Sequence, residues 1–386
     1  MGNRQRIHSM DALRASTMLL LIPVHAVTLL SLNGRGGAWA VAVFWFVHVF
    51  RLPLFFAMSG FFLTLLVSRK GLRETIRNRT MRIVVPLVTC LLTLVPLMVL
   101  ASQATGTVID GDGEVTHGSP ITFEPAFLWF LWYLLIFDAV AFALHALFPG
   151  LLRRAGTAMR AAIAHPLLGI ALLAIPTTLA LWSQPNWTES PPGSWVPQVS
   201  VLAYYAPFFA LGATLCAHRE LVGDAARNAW KWTACAVAAT VPAAALFTLH
   251  DSPRYADRLE VHGAALAIYA VATWASLLAL VGLADRYLDR PSPRLRYLAD
   301  SSYWLYLSHL PAMILIVAFG TAIAVGTAPQ FALATFGSLA VSLASYALFV
   351  RYTPIGWVLN GPRHRPPRKR STRSGRPVLT ASAGPG

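Results

Sequence analysis

Charge is scarce in this chain. Asp, Glu, Lys and Arg together make 12% of 386 residues, about half of the roughly 25% found in soluble domains. Hydrophobic residues make 56% and mean hydropathy is +0.56. A soluble globular domain is therefore excluded, and an integral membrane protein is expected. Acidic residues are scarcest, 16 against 31 Lys and Arg, which leaves a formal net charge of +15. Such a balance first suggests nucleic acid. Here, however, the basic residues cluster between hydrophobic stretches, so the expected partner is the lipid bilayer and no nucleic acid is expected. Cysteine is also rare. Cys90, Cys216 and Cys235 each sit inside an apolar run. An odd count without ligand spacing predicts neither a disulfide framework nor a metal site. No Gly-x-Ser-x-Gly occurs, so a serine nucleophile of that type has no support. No internal repeat is visible.

What the chain has is long apolar runs. Ten can be marked, at residues 10–32, 38–67, 83–101, 126–148, 166–182, 199–217, 230–250, 262–283, 302–325 and 331–350. Crossing a bilayer takes about 20 apolar residues in a helix. The prediction is thus an all-α polytopic membrane protein with about ten transmembrane helices. The first run is interrupted by Asp11 and Arg14 and lacks a clear small-x-small site after it, so it is expected to be a retained helix rather than a signal peptide. The second contains Pro53 and is long enough to tilt or kink.

Lys and Arg set the orientation. One side carries Arg4 and Arg6, the basic stretch from Arg69 to Arg82, Arg153, Arg154 and Arg160, Arg219 and Arg227, and the group Arg286 to Arg296. It also takes Arg351 and seven basic residues from Arg363 to Arg376. The other side carries only Arg35, Arg254 and Arg258. Both termini are expected in the cytoplasm, with the protein in the inner membrane. Residues 1–355 form the expected membrane domain and 356–386 a basic, disordered tail suited to anionic headgroups. The connections 102–125 and 183–198 are long enough to cap an outward-facing site. The first holds Asp110, Asp112, Glu114 and Glu124, and the second holds the glycosylation-like Asn186-Trp187-Thr188.

Three groups of residues could carry chemistry. On the first helix, Arg14 and His25 are eleven residues apart. That spacing puts them within about 20° of one face and roughly 16 Å apart along it. Asp11 supports Arg14 there. On the second helix, His48 and Arg51 share a face, and turn counting puts Arg51 at about the depth of His25. Ionisable groups at that depth are functional candidates. The third group is Arg79 and Arg82, expected in an inner loop ahead of the third helix and level with Arg14. Three guanidiniums at one rim suit phosphates, because each offers a planar fork of donors. Late in the chain, SSYWLYLSHLP places His309 about 13 Å from the inner surface with Tyr306 one turn below. Asp138 is a buried carboxylate expected to pair with Arg51 or a His. Ser59-Gly60 is expected to make a small-residue contact between helices.

A neutral imidazole beside a cation can take a proton from a hydroxyl. A guanidinium there can hold a carbonyl oxygen as negative charge develops. The predicted chemistry is acyl transfer from a phosphate-bearing thioester to a hydroxyl. A transporter of an envelope glycan or lipid is the alternative, although paired repeats with broken helices are not visible.

At these residues the chain resembles the acyltransferase family 3 membrane proteins and, within them, the glucan biosynthesis C type. MDALRASTMLLLIPVH carries Asp11, Arg14 and His25. FRLPLFFAMSG carries Arg51 and Ser59, RTMR carries Arg79 and Arg82, and SYWLYLSHLP carries His309. The resemblance implies ten helices and an acyl-CoA donor, with acetyl, succinyl or a similar group moved to a hydroxyl of a glycan, glycolipid or other acceptor. It implies a catalytic role for His25, and donor contacts for Arg14, Arg79 and Arg82. One departure is Phe127, where the family often has His.

Overall fold

The computed structural model describes residues 7–107, 124–164, 166–182, 194–250 and 258–361. Asp110, Asp112, Glu114, the Asn186 tripeptide and the tail beyond Gly361 lie outside these residues. Among the described residues, nine helices are long and apolar enough to cross a membrane, and a shorter apolar helix covers Gly169–Trp182. The protein is an all-α polytopic membrane protein.

The first helix, α1 (His8–Leu30), is followed by α2 (Ala38–Lys70) and α3 (Leu72–Thr105). Next come α4 (Trp129–Leu147), α5 (Pro149–Ala164) and α6 (Pro166–Trp182). Then follow α7 (Val199–Ala217), the short α8 (Glu220–Arg227), α9 (Ala229–His250) and α10 (Leu259–Leu288). After α11 (Pro293–Ala322), α12 (Thr327–Ala332) and α13 (Ser338–Ser345) run together with π-helical turns as one 24-residue span, Thr327–Val350. The short α14 (Pro354–Asn360) closes the described chain.

Helices suit this environment because hydrocarbon offers backbone groups no partners, so each must be satisfied within its own segment. Side-chain hydroxyls follow the same logic. Thr17 donates to the Leu13 carbonyl at 2.7 Å and Thr273 to Tyr269 at 2.9 Å, one turn back in each case.

Packing places α1 at the centre, against α2, α10 and α11. Its small and apolar residues Ala12, Ala15, Ala26 and Leu30 are buried. The second helix lies against α7 through two glycines. A Cβ on Gly60 would lie 2.0 Å from the Phe209 carbonyl oxygen, and one on Gly212 would lie 1.7 Å from that of Ala57. Only residues without side chains permit such an approach, as the Ser59-Gly60 pair predicted. This crossing fixes the part of α2 that carries Ser59.

Two helix starts differ from the sequence expectation. RETIRNRTMR is not a loop but the opening of α3. Gly71, at φ +77°, is the break, a backbone angle that glycine adopts without strain. Beyond it no glycine or proline interrupts the chain before Pro86. Likewise, α11 begins at Pro293, with Ser292 Oγ accepting from the Leu295 amide at 3.3 Å. Serine at the N-cap followed by proline in the first turn is a helix start. His309 is therefore sixteen residues into its helix, about 24 Å by rise. Its ring there meets that of His25.

Candidate active site

Faces of three helices converge at one depth inside the bundle. From α1 comes His25, two turns beyond Met18 and three beyond Arg14 on the same face. From α11 comes His309, whose ring centroid is 5.2 Å from that of His25 at an interplanar angle of 53°. From α2 comes Arg51, 5% exposed and within electrostatic range of His25, His48 and His309. His48 is buried one turn away, its ring stacked on Phe44 at 4.5 Å. His25 is half-buried, whereas His48 and His309 are buried.

His309 is held in one orientation. Its Nδ1 lies 2.8 Å from the Leu305 carbonyl oxygen and 2.9 Å from that of Tyr306. Tyr306 is fixed in turn, its hydroxyl donating to the Phe127 carbonyl at 3.0 Å. Phe130 meets the Tyr306 ring edge-on at 6.0 Å. Position 127 thus touches the site through its backbone.

Below this group a cavity of about 550 Å³ opens toward the basic end of the bundle. Its deep wall is apolar and aromatic, with Met18, Phe55, Phe130 and Tyr306. Its mouth carries Arg14, Arg69, Lys70, Arg79 and Arg82, with Asp300 and Asn360 beside them. Arg14 pairs with Asp11 at 3.3 Å and lies 5.6 Å from the Phe62 ring centroid. The Tyr303 hydroxyl donates to the Arg82 carbonyl at 2.5 Å, tying α11 to α3. At the mouth, α14 seats Leu359 and Asn360, and the Asn360 amide donates to the Asp300 carbonyl at 2.9 Å.

The arrangement offers cations for an anion at the entrance, an apolar channel, and a base with a neighbouring guanidinium at the end. The acyltransferase domain family model matches residues 7–347. This chain belongs to that acyltransferase family.

The acyltransferase is similar to the glucans biosynthesis protein C of Salmonella gallinarum, at 25% identity covering 96% of this chain and 97% of that protein. It is also similar to the protein of the same name from Salmonella typhimurium, at 24% identity over the same shares. No solved structure matches. With membership of this family the protein is a multi-pass membrane enzyme that transfers acyl groups.

The fold gathers most of the residues singled out from the sequence. His25, His48, Arg51, Tyr306 and His309 meet at one level, and Asp11, Arg14, Arg79 and Arg82 meet at the other. One pairing differs. Asp138 does not reach Arg51 or a histidine. Its Oδ2 lies 2.9 Å from Arg79 Nε, and Arg79 Nη2 donates to Asp138 Oδ1 at 3.1 Å and to Ser59 Oγ at 2.7 Å. Ser59 marks the level of this pair on α2, eight residues or about 12 Å from Arg51, so the carboxylate is too far away to serve it. Arg79 is accordingly held in the cavity wall by a carboxylate rather than presented singly at the rim. Among the described residues no group of three or more His, Cys, Asp or Glu side chains could hold a metal ion.

Proposed function

We propose that this acyltransferase moves an acyl group from acyl-CoA to a hydroxyl of an envelope glycan. The observation that carries the reading is the cavity. Its cationic mouth suits phosphates, its apolar wall suits a pantetheine arm, and its deep end stops at Tyr306, one turn before His309 and its contact with His25. Arg14 and His25 are about 16 Å apart along α1, a separation that an extended pantetheine arm spans.

In this reading the rim arginines hold the donor phosphates by charge-assisted hydrogen bonds. His25 takes the proton of the acceptor hydroxyl as its oxygen attacks the thioester carbonyl carbon. Arg51 stabilises the negative charge that develops on that carbonyl oxygen. Collapse breaks the carbon–sulfur bond, and His25 returns the proton to the leaving thiolate. The ester and the free thiol balance the hydroxyl and the thioester consumed. Basic residues on one side of the membrane favour a cytoplasmic mouth, with both termini on that side of the inner membrane. The names of the two relatives support a glucan as acceptor. The acyl group is acetyl, succinyl or a similar short acid.

The test uses the purified full chain in detergent with acetyl-CoA and succinyl-CoA as donors and gluco-oligosaccharides as acceptors, and follows product mass. Wild type acylates the sugar. His25→Ala folds, binds donor and fails to transfer. A His25→Ala protein with normal turnover would remove the base from the mechanism.

A further inference from the structure

The Nδ1 atom of His309 faces two backbone carbonyl oxygens, those of Leu305 and Tyr306. Carbonyl oxygens only accept hydrogen bonds. Nδ1 must therefore carry the proton, and in the neutral ring the lone pair is on Nε2. This nitrogen is buried and has no hydrogen-bond partner among the described residues, in a side chain only 2% exposed. Its nearest ring neighbour is His25. The centroid separation of 5.2 Å and the 53° tilt rule out face-to-face stacking. Ring edges joined by an N–H···N bond of about 3 Å have centroids about 5 Å apart, so a rotation of either ring is enough to close one between these two side chains.

We propose that His309 is the positioning residue that fixes the tautomer of His25, offering Nε2 as a neutral acceptor for one His25 N–H so that the other His25 nitrogen faces the reacting hydroxyl. This rests on His25 being the base. The proton taken from the hydroxyl goes to the outer nitrogen of His25 and returns from there to the thiolate. The inner N–H remains on His25 throughout, bound more strongly while the ring is cationic. His309 gains and loses no proton.

The choice of a neutral acceptor follows from Arg51. A carboxylate in this position, the usual partner of a catalytic histidine, would stand within range of a buried guanidinium. The two would pair, and Arg51 would be drawn away from the developing oxyanion. An imidazole with its proton locked on the backbone side orients His25 without competing for that cation.

Three variants test this on the full chain, with succinyl-CoA, acetyl-CoA and gluco-oligosaccharides as probes and with kcat and donor KM measured separately. His309→Leu removes the acceptor and lowers kcat by about 10²–10³-fold, with donor KM within about threefold of wild type. His309→Gln places an amide oxygen near the Nε2 position and restores kcat to within about tenfold of wild type. His309→Asp fails to restore it, because its carboxylate engages Arg51. A His309→Leu protein with wild-type kcat overturns the proposal, as does a Gln variant no better than Leu when both fold and bind CoA. If His309→Leu does not accumulate, the Gln and Asp variants decide, and Asp equal to or better than Gln overturns it. His25→Ala separates the two levels. Normal turnover in that variant removes the base itself, whereas an inactive His25→Ala beside a fully active His309→Leu removes only the role of His309.

Discussion

Asp138 and Arg79 decide how mutants at the cavity mouth behave. Arg79 is 17% exposed and its partner carboxylate 2%, so the pair is largely desolvated. Removing one member of a buried pair leaves the other charge unsatisfied, at about 3–5 kcal/mol. Arg79→Ala is therefore expected to lose stability as well as donor affinity. The double variant Arg79→Ala/Asp138→Ala should regain much of that stability, and thermal unfolding in detergent checks this. Arg82 lines the same mouth and gives a second test of donor binding. A hydrogen bond to a charged group is worth about 1.5–3 kcal/mol. Arg82→Ala should thus raise donor KM by roughly 10–100-fold. A donor titration with the acceptor saturating measures this.

At the scale of the element, the α2–α7 crossing makes the sharpest prediction. Gly212→Ala puts a methyl group 1.7 Å from a backbone oxygen. Neither helix can yield locally, so they must separate, at a cost of about 3 kcal/mol. The variant should unfold at lower temperature and lose activity, because α2 carries Arg51 and Ser59. Gly150→Ala is the control, since a Cβ there meets nothing within 4 Å. Its unfolding temperature should stay at or slightly above wild type, alanine being the better helix former.

The elements also separate what was legible in the sequence from what was not. Alignment of Arg14 with His25 needed only turn counting along one helix, and Ser59-Gly60 announced its contact by residue size. The partner of Asp138 was not legible, because it depends on the register between α3 and α4, which no single-helix period encodes. The start of α11 was missed for another reason. Arg294 and Arg296 made the first turns of α11 look like a loop, although Ser292-Pro293 carried the start signal. The opening of α3 was hidden in the same way by its four arginines, which are compatible with helix but not with a hydropathy search.

For the whole molecule, the excess of Lys and Arg at one end predicts orientation. Reporter fusions after Met1 and at the C-terminus should both be active only on the cytoplasmic side. A fusion at residue 35, beside the lone Arg of the first opposite turn, should report the other compartment. Periplasmic activity of the terminal fusions would reverse the membrane sense of the cavity. The opposite end has its own brace. Arg35 donates to the Val325 carbonyl at 2.7 Å and to the side chain of Gln330, which is fully buried. This ties the turn after α1 to the turn after α11, the two helices that bring His25 and His309 together.

The glycine crossing has a mechanical consequence. Backbones seated that closely leave no slack for sliding or for a side chain to swing between them, so α2 and α7 must travel as a single strut. Any breathing that lets a bulky nucleotide carrier slip in or out therefore falls to the rest of the chamber wall, where α11 and the short closing helix lie.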